Sequence, residues 1–474
     1  MRSGVKPMRE IVTPAEMAAI DAEAPEPVSE LVERAGWATA RVALQWLEGD
    51  VYGKRVAVLA GKGNNGADGR SAARHLERRG AVCRVFDVPG ASDTTSFEPV
   101  DVAPYDLILD ACFGTGLRGR FESRSLPIEV GDTPVLAVDI PSGVNGLTGA
   151  AQGLPLRAVA TVTFAALKPG LLLEPGRSLA GDITVADIGL DCSRARIWQL
   201  EESDLSGWPR RSGTDHKWGH AVAVVGGSPG MTGAAALSSI AAFRAGAGYV
   251  VQARPAPLTD GPSTPIEAVA VSMINEWHRV VEQVDRCSAV VVGPGLGVDG
   301  PQMLSELHQL LAMIESPVVF DAGALRPDLL DAVRGSSVAD ERFPVLTPHD
   351  GEFERLTGRA PGPDRIDDVR RAAAELAAVI LLKGPTTVVA HPDGRALLST
   401  AGDQRLATAG TGDVLAGIIG AGLALGLDPF LAAGLGAELH GRAAARGLAV
   451  GLTAGDLPEL VADLLSSLEP PATR

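Results

Sequence analysis

Two aspartates mark where this chain could move protons. Asp139 follows the apolar run Val135–Val138 and leads into Ile140-Pro141-Ser142-Gly143. Asp413 follows Thr408-Ala409-Gly410-Thr411-Gly412 and precedes the apolar stretch Val414–Ile419. A carboxylate at a strand tip or in the first turn of a helix, inside a partly dry cleft, is a natural general acid or base. Aspartate in either place is also a common helix cap. Each residue taken alone therefore leaves both readings open, and the surroundings must decide.

Around Asp139 the surroundings are rich in polar turns. Gly61-Lys62-Gly63-Asn64-Asn65-Gly66-Ala67-Asp68-Gly69 lies between an apolar run and a helical pattern. Its glycines permit close ligand approach, and the helix start favours an anion. The spacing fits neither a dinucleotide fingerprint nor a Walker loop. The Asn and Asp side chains also suit a hard cation, and a structural Asn/Gly turn is the plain alternative. Asp110-Ala111-Cys112-Phe113-Gly114-Thr115-Gly116-Leu117 places a second acid before a Gly-Thr-Gly turn.

Asp413 has company of its own kind. The Gly-Thr-Gly turn before it offers backbone N–H groups at a helix start to developing phosphate charge. Lys383-Gly384-Pro385-Thr386-Thr387 adds a cation after an apolar run, and Thr347-Pro348-His349-Asp350-Gly351-Glu352 adds an imidazole and a carboxylate. Gly293-Pro294-Gly295-Leu296-Gly297 forms a loop suited to close approach.

The elements that must position these groups form two series of strand–turn–helix units. A helical pattern opens the chain from Thr13 to about Glu48, with Thr13-Pro14-Ala15-Glu16 as a capped start. Apolar runs then end in Gly/Asp/Asn loops at residues 55–60, 107–109 and 135–138, the signature of a parallel sheet with its site at the strand C-terminal ends. The rhythm fades from Ala186 to Gly213 and resumes from Ala221. Trp208-Pro209-Arg210-Arg211-Ser212-Gly213 is read as a linker, giving domains 1–207 and 208–474.

Bulk properties narrow the class. The 474 residues are 46% hydrophobic and 21% charged, as in a globular α/β protein. A net charge of −16 disfavours non-specific nucleic-acid binding. Cys83, Cys112, Cys192 and Cys287 lie far apart, without a metal or redox pair, and read as buried thiols in a reducing compartment. The N-terminus lacks a signal-peptide pattern, and the apolar run Val414–Leu427 holds four glycines and is too short for a membrane span. A cytoplasmic enzyme without nucleic-acid or membrane partners is the expectation.

The ordered motifs resemble known families. Leu31-Val32-Glu33-Arg34-Ala35-Gly36, Asn64–Asp68, Asp110–Leu117, Asp139–Gly143, Thr161–Phe164 with Lys168, and Gly181-Asp182-Ile183 are together similar to the NAD(P)HX epimerases, which act on hydrated NADH or NADPH. The resemblance covers about residues 10–200. It implies a Rossmann-like domain binding NAD(P)HX through Asn64, Asn65, Gly66, Ala67 and Asp68, and through Gly114, Thr115, Gly116, Leu117, Arg118, Gly119 and Arg120. It places Asp139 at the reacting centre and a potassium ion near Asn65, Asp110 and Ser142. Ala67 stands where that family usually has Gly.

Residues 214–460 resemble the ADP/ATP-dependent NAD(P)HX dehydratases, of ribokinase-like fold. The matching elements are His216-Lys217 with Gly219, Gly226-Gly227-Ser228 with Gly233-Ala234, Gly293–Gly297, Thr347–Glu352, Lys383–Thr387 and Gly410–Gly417. Nucleotide contacts are implied at Lys383, Gly384, Pro385, Thr386, Thr387 and Gly412, and NAD(P)HX contacts at Gly297, His349 and Asp413. Mg2+ with ADP or ATP is the implied cofactor. Gly323 replaces a usual Asp, and Asp403 stands near a usual Asn. The resemblance thus implies a fused repair enzyme, catalysed at Asp139 and Asp413, and a homo-oligomer is expected. A ribokinase-like kinase of a vitamin or sugar is the rival, with the first domain a non-catalytic binding scaffold.

Overall fold

The computed structural model describes residues 8–88, 104–117, 119–122, 126–256, 265–274, 276–297, 301–337 and 343–468. The chain divides into two compact units, one of Arg9–Ile197 and one that includes Trp198–Arg474.

The first unit is built on six strands: β1 (Arg55–Ala60), β2 (Val82–Asp87), β3 (Leu107–Ala111), β4 (Val135–Val138), β5 (Ala160–Phe164) and β6 (Asp182–Ala186), in the order β2-β1-β3-β4-β5-β6. Every neighbouring pair is parallel. The sequence explains this, because β1, β3 and β4 are continuous apolar runs rather than alternating ones, and a parallel sheet is covered on both faces. Val56, Val58, Leu107, Leu109 and Leu136 belong to one core cluster, and Ala57, Leu59 and Ile108 to another. Parallel pairing sets the C-terminal ends of β1, β3, β4 and β5 along one edge. The turns that carry Asn64, Asp110 and Asp139 share that edge.

The opening helical pattern is two helices, α1 (Pro14–Glu23) and α2 (Val28–Trp46), not one. Pro25 and Pro27 lie between them and lack the N–H that a continuous helix needs. The Thr13 cap is present as expected. Its Oγ1 accepts from Glu16 N at 3.2 Å, and Glu16 Oε2 accepts from Thr13 N at 2.7 Å. The helix after β1, α3 (Asn64–Glu77), starts earlier than the loop reading implied, so Asn64 to Asp68 form its first turn. Ala67 is therefore helical, and its methyl favours that backbone over Gly instead of disturbing it.

The second unit contains β7 (Ala221–Val225), β8 (Tyr249–Arg254), β9 (Val269–Ser272), β10 (Ala289–Val292), β11 (Val318–Phe320), β12 (Val345–Leu346), β13 (Val379–Leu382), β14 (Thr387–Ala390) and β15 (Ala396–Ser399). They lie in the order β9-β8-β7-β10-β11-β12-β13-β14-β15. Pairing is parallel from β9 to β13 and antiparallel through β14 and β15. Helix α4 (Thr232–Arg244) follows β7, and α5 (Asp350–Thr357) follows β12. Helix α6 (Thr411–Ala424) carries Asp413, and α7 (Pro429–Arg446) follows it.

Helix α6 is buried nearly all round, which is the place of a central helix in its unit. Its glycines serve close packing. A Cβ on Gly417 would sit 2.1 Å from the Ser238 carbonyl oxygen of α4, so α4 and α6 approach backbone to backbone. Among the described residues no helix is long and apolar enough to cross a membrane.

The division falls at Ile197/Trp198, earlier than the 207/208 boundary read from composition. Leu200, Leu205 and Trp208 explain the shift, because all three join the core of the second unit. Trp208 is 2% exposed and its indole donates to Ala245 O at 2.9 Å, so it is no linker residue. Trp208→Ala should destabilise the second unit by about 3–5 kcal/mol, the usual cost of deleting a buried aromatic. Urea denaturation checks this, and an unchanged midpoint would return Trp208 to a solvated linker.

Candidate active sites

The first site is a cavity of about 440 Å³ at the C-terminal edge of the first sheet. Its walls come from α1 and α2 (Met17, Asp21, Leu31), the α3 start (Asn64, Asn65, Asp68), the Gly114–Leu117 turn, and Asp139 with Lys168. Asp139 directly follows β4 with φ of 66°, a left-handed conformation that costs a residue with a Cβ and that clusters at functional sites. Its N–H donates to Val162 O at 2.7 Å, which pins the turn to β5.

The Asp139 carboxylate is held from several sides. Lys168 Nζ lies 2.8 Å from Oδ1, Thr163 Oγ1 donates to Oδ1 at 3.3 Å, and Thr115 N donates to Oδ2 at 3.4 Å. Lys168 is 1% exposed and also donates to Thr163 Oγ1 and Phe164 O, each at 2.9 Å. Burying an ammonium this deeply without a carboxylate partner would be costly. Its position in the sequence motif was visible, but nothing in the motif named Asp139 as its partner.

Asp68 lines the same cavity and is 8% exposed. Burial, reinforced by the charges of Asp139 and Asp21 against that of Lys168, pushes its carboxyl up to about 8. Asp21 is lifted above the usual carboxylate range by burial and by Asp139, against the pull of Lys168. The sequence reading gave Asp21 no role, since it sits inside α1, outside every motif.

Behind the Asp139 turn lies a second polar group. Asp110 is fully buried, accepting from Ser142 Oγ at 2.6 Å, Ser142 N at 2.8 Å and Cys112 N at 3.4 Å. Burial raises its carboxyl. Among the described residues no basic side chain is paired with it. Both amide atoms of Asn65 are buried without a hydrogen-bond partner.

The expected run of substrate contacts divides here. Gly114, Thr115, Gly116 and Leu117 face the cavity. Gly66 and Ala67 shape the turn without lining it. Gly119 has φ of 109° and is exposed, while the Arg120 side chain reaches Glu122 at 3.6 Å and is not among the lining residues. Arg118 lies outside the described residues.

The second site gathers around Asp413 in the first turn of α6. Gly410 precedes the helix with φ of 93°, and Thr411 Oγ1 donates to Leu406 O and Thr408 O at 2.8 and 2.9 Å, which fixes the turn. Burial and the charges of Asp321 and Glu352, opposed by Lys383, push Asp413 up to about 7. Lys383 Nζ lies 2.9 Å from Asp321 Oδ1 and 3.8 Å from Glu352 Oε2. Burial alone would lower this ammonium, but Asp321, Glu352 and Asp413 outweigh it and raise it. A Cβ on Gly412 would stand 3.3 Å from Lys383 Nζ, so the turn and the ammonium are neighbours.

Other predicted groups take supporting places. His349 caps α5, its Nδ1 accepting from Gly351 N at 3.1 Å and Glu352 N at 3.4 Å. Its side chain is 60% exposed, and Nε2 lies 3.5 Å from Glu352 Oε1. Gly297 N donates to Ser228 Oγ at 2.9 Å, tying the two glycine loops together. Gly384 and Pro385 follow Lys383 in the turn before β14; Thr386 is buried, and Thr387 opens β14 opposite Ser399. Asp321 is the residue that the motif reading undervalued, although it stands at the tip of β11 in plain view.

The departures have local causes. A Cβ on Gly323 would fall 1.9 Å from Leu296 O, so this loop leaves no room for the usual Asp. Asp403 is bonded through both oxygens to the Arg405 guanidinium, which neutralises its charge. The cysteines are all free thiols, three of them buried.

Two units built on parallel sheets, each with a strand-edge or helix-start aspartate beside a lysine, define an α/β enzyme fold. Residues 222–466 match the NAD(P)H-hydrate dehydratase family, and residues 28–96 and 87–170 match the YjeF-related protein N-terminus. The chain is 37% identical to a bifunctional NAD(P)H-hydrate repair enzyme of Moorella thermoacetica, over 97% of each chain. It is 35% identical to the Escherichia coli enzyme of the same name, over 82% of this chain and 79% of that one. A solved ribokinase-like superfamily protein from Enterococcus faecalis matches at a TM-score of 0.50 and 26% identity, covering 57% of this chain and 96% of that one. The chain belongs to the bifunctional NAD(P)H-hydrate repair enzyme family.

Raised carboxyls have a cost in stability. A carboxyl whose folded pKa exceeds its unfolded one contributes stability at acid pH that is lost as pH climbs through the folded value. For Asp413 that stability is fully present below the ordinary carboxylate value of 3.8 and is lost as pH rises from there to about 7. Asp413→Asn should therefore raise Tm at pH 8 by several degrees and leave it nearly unchanged at pH 4. Thermal melts at the two pH values check this, and equal shifts at both would deny the buried charge.

Proposed function

We propose that the first unit interconverts the two epimers of hydrated NADH and NADPH at Asp139, and that the second dehydrates one epimer at Asp413 using ADP or ATP. The observation that carries the reading is the Asp139–Lys168 pair at the cavity wall, matched in the other unit by Asp413 beside Lys383. The rival kinase reading leaves that first pair without a purpose, while the repair reading uses both.

In the hydrated ring a hydroxyl sits on the carbon next to the ring nitrogen. Nitrogen's lone pair expels it as water, and a second water attacks the cation from the other face, Asp139 passing the proton to the first and taking it from the second. Asp139, 2.8 Å from Lys168 Nζ, stabilises that cation in a site where charge is poorly screened. The N–H groups of the α3 first turn and the Gly114–Leu117 turn hold the dinucleotide's phosphates.

Potassium fits beside this machinery. Asn65 has a buried, unused amide oxygen, and Asp110 is buried without a basic partner among the described residues. Asn65, Asp110 and Ser142 would hold the ion, which supplies positive charge behind the Asp139 turn.

In the second unit Asp413 takes the proton of the ring hydroxyl as that oxygen attacks the terminal phosphoryl group. Lys383 and the Gly410–Gly412 turn steady the phosphates. The ring nitrogen then expels phosphate, and loss to water of the proton on the neighbouring ring carbon restores the dihydro ring. No group of three or more His, Cys, Asp or Glu placed to hold a metal occurs among the described residues. Mg2+ would come with the nucleotide and neutralise phosphate charge, with Asp321, Glu352 and Asp413 as the acidic side chains around Lys383. Because one epimer alone is consumed, the first unit renews the supply of it.

The direct test incubates the full chain with purified epimers of hydrated NADH, K+, Mg2+ and ADP or ATP, and follows NADH absorbance. Recovery of both epimers is expected; recovery of neither refutes the reading. Asp139→Asn should cut epimer exchange by about a hundredfold or more, down to the spontaneous rate, without stopping dehydration of the reactive epimer. Asp413→Ala should do the reverse. For the second site, kcat/KM should fall about tenfold per pH unit below roughly 7, as Asp413 becomes protonated and loses its power as a base.

A further inference from the structure

Two turns of the second unit carry groups for two different ligands, and they come from neighbouring strands. Thr347–Glu352 follows β12 and holds His349; Lys383–Thr387 follows β13 and begins with Lys383. The strands are parallel, so both turns lie at one edge of the sheet. Lys383 N donates to Pro348 O at 2.9 Å, which carries the pairing slightly beyond the strands. Past that point one chain enters α5 and the other turns toward β14. Lys383 Nζ stands 3.8 Å from Glu352 Oε2, too far to fix a direction.

One side chain spans the opening. Arg365 begins the helix Arg365–Leu376, whose start is set by the Asp364 carboxylate accepting from Asp367 N at 3.1 Å. Its Nη1 and Nη2 donate to the two carboxylate oxygens of Asp350, the neighbour of His349, at 3.0 and 2.7 Å. Nη2 also reaches the Lys383 carbonyl oxygen at 3.5 Å. A Cβ on Gly384 would lie 3.2 Å from Nη2, so glycine there leaves the space beside which the guanidinium sits. The Arg365 side chain is 23% exposed, and its bonds go to protein oxygens on both turns. A planar fork on a carboxylate fixes direction as well as distance, which an ammonium does not.

We propose that Arg365 is a positioning residue of the dehydratase site, tying the His349 turn to the Lys383 turn and so setting the hydrated ring against the phosphoryl donor. This rests on the dehydratase reading, in which the first turn meets the dinucleotide and the second the nucleotide. Phosphoryl transfer leaves a protein little covalent work, and most of the rate comes from placing the two reactants. With the tie cut, each ligand still finds its own turn, but the hydroxyl and the phosphoryl group lose their alignment. The signature is a fall in kcat with little change in either KM.

The experiment follows NADH recovery from the reactive epimer of hydrated NADH by the full chain, with Mg2+ and ADP or ATP. It compares wild type, Arg365→Lys, Arg365→Gln, Asp350→Asn, the double variant Arg365→Gln/Asp350→Asn, and Arg359→Gln. Arg359 makes an ion pair of the same kind with Glu375, at 2.7 Å, and serves as the control. Thermal melts give the folded fraction at the assay temperature, and rates are expressed per folded protein. Expected is a drop in kcat of about tenfold or more in both Arg365 variants, with both KM values close to wild type. The double variant should lose no more than Arg365→Gln alone, because the two changes cut one tie. Arg359→Gln should keep the wild-type rate. A wild-type kcat in Arg365→Lys and Arg365→Gln overturns the proposal, as does a loss matched by Arg359→Gln or one confined to KM. Should Arg365→Gln fail to fold, Arg365→Lys and Asp350→Asn decide by the same criteria. Absence of NADH recovery by the wild type overturns the parent reading instead.

Discussion

A carboxylate removed from water must be balanced by something, and the way each balance is struck organises both halves of this protein. Asp139 is balanced by a lysine that is itself almost wholly buried, so the two stabilise one another. Asp413 is left short of balance, because Lys383 is shared with Asp321 and Glu352. The first arrangement is a close, buried ion pair. The second keeps a proton acceptor poised near neutrality. One aspartate suits a cationic intermediate and the other suits a hydroxyl that must lose its proton.

Both arrangements depend on parallel sheets. Turns that are remote in sequence meet because strands running the same way end at the same edge. The positive φ at Asp139 is tolerated because its N–H is fixed to Val162 and its carboxylate to three donors. In the second unit the turn before Asp413 is held by Thr411, whose hydroxyl is spent on two backbone carbonyls.

Much of this was legible in the residues. Continuous apolar runs ending in Gly, Asn and Asp announced parallel strands and the edge where the sites lie. Asp110, Asp139 and Asp413 were visible for the same reason. Pairings were not, because Asp139 and Lys168 are separated by a whole strand and its turns, and only packing brings them together. Asp21 was hidden in a helix whose role is set by what it faces. Trp208 misled because a Trp-Pro-Arg-Arg stretch looks solvated, whereas its indole is enclosed and hydrogen-bonded to Ala245. The helix start at Asn64 was missed for a local reason: Asn and Gly are weak helix formers, and the turn they make is stabilised by tertiary context.

The turn that presents Asp413 runs without a break into the helix pressed most closely against its neighbour, where Gly417 admits the Ser238 backbone. Its amides cannot swing aside unless that backbone-to-backbone seam opens. A phosphate held at this turn would be met by dipoles already aligned, with little reorganisation left. Any gating movement must belong to other segments, so the anvil stays still while the hammer moves.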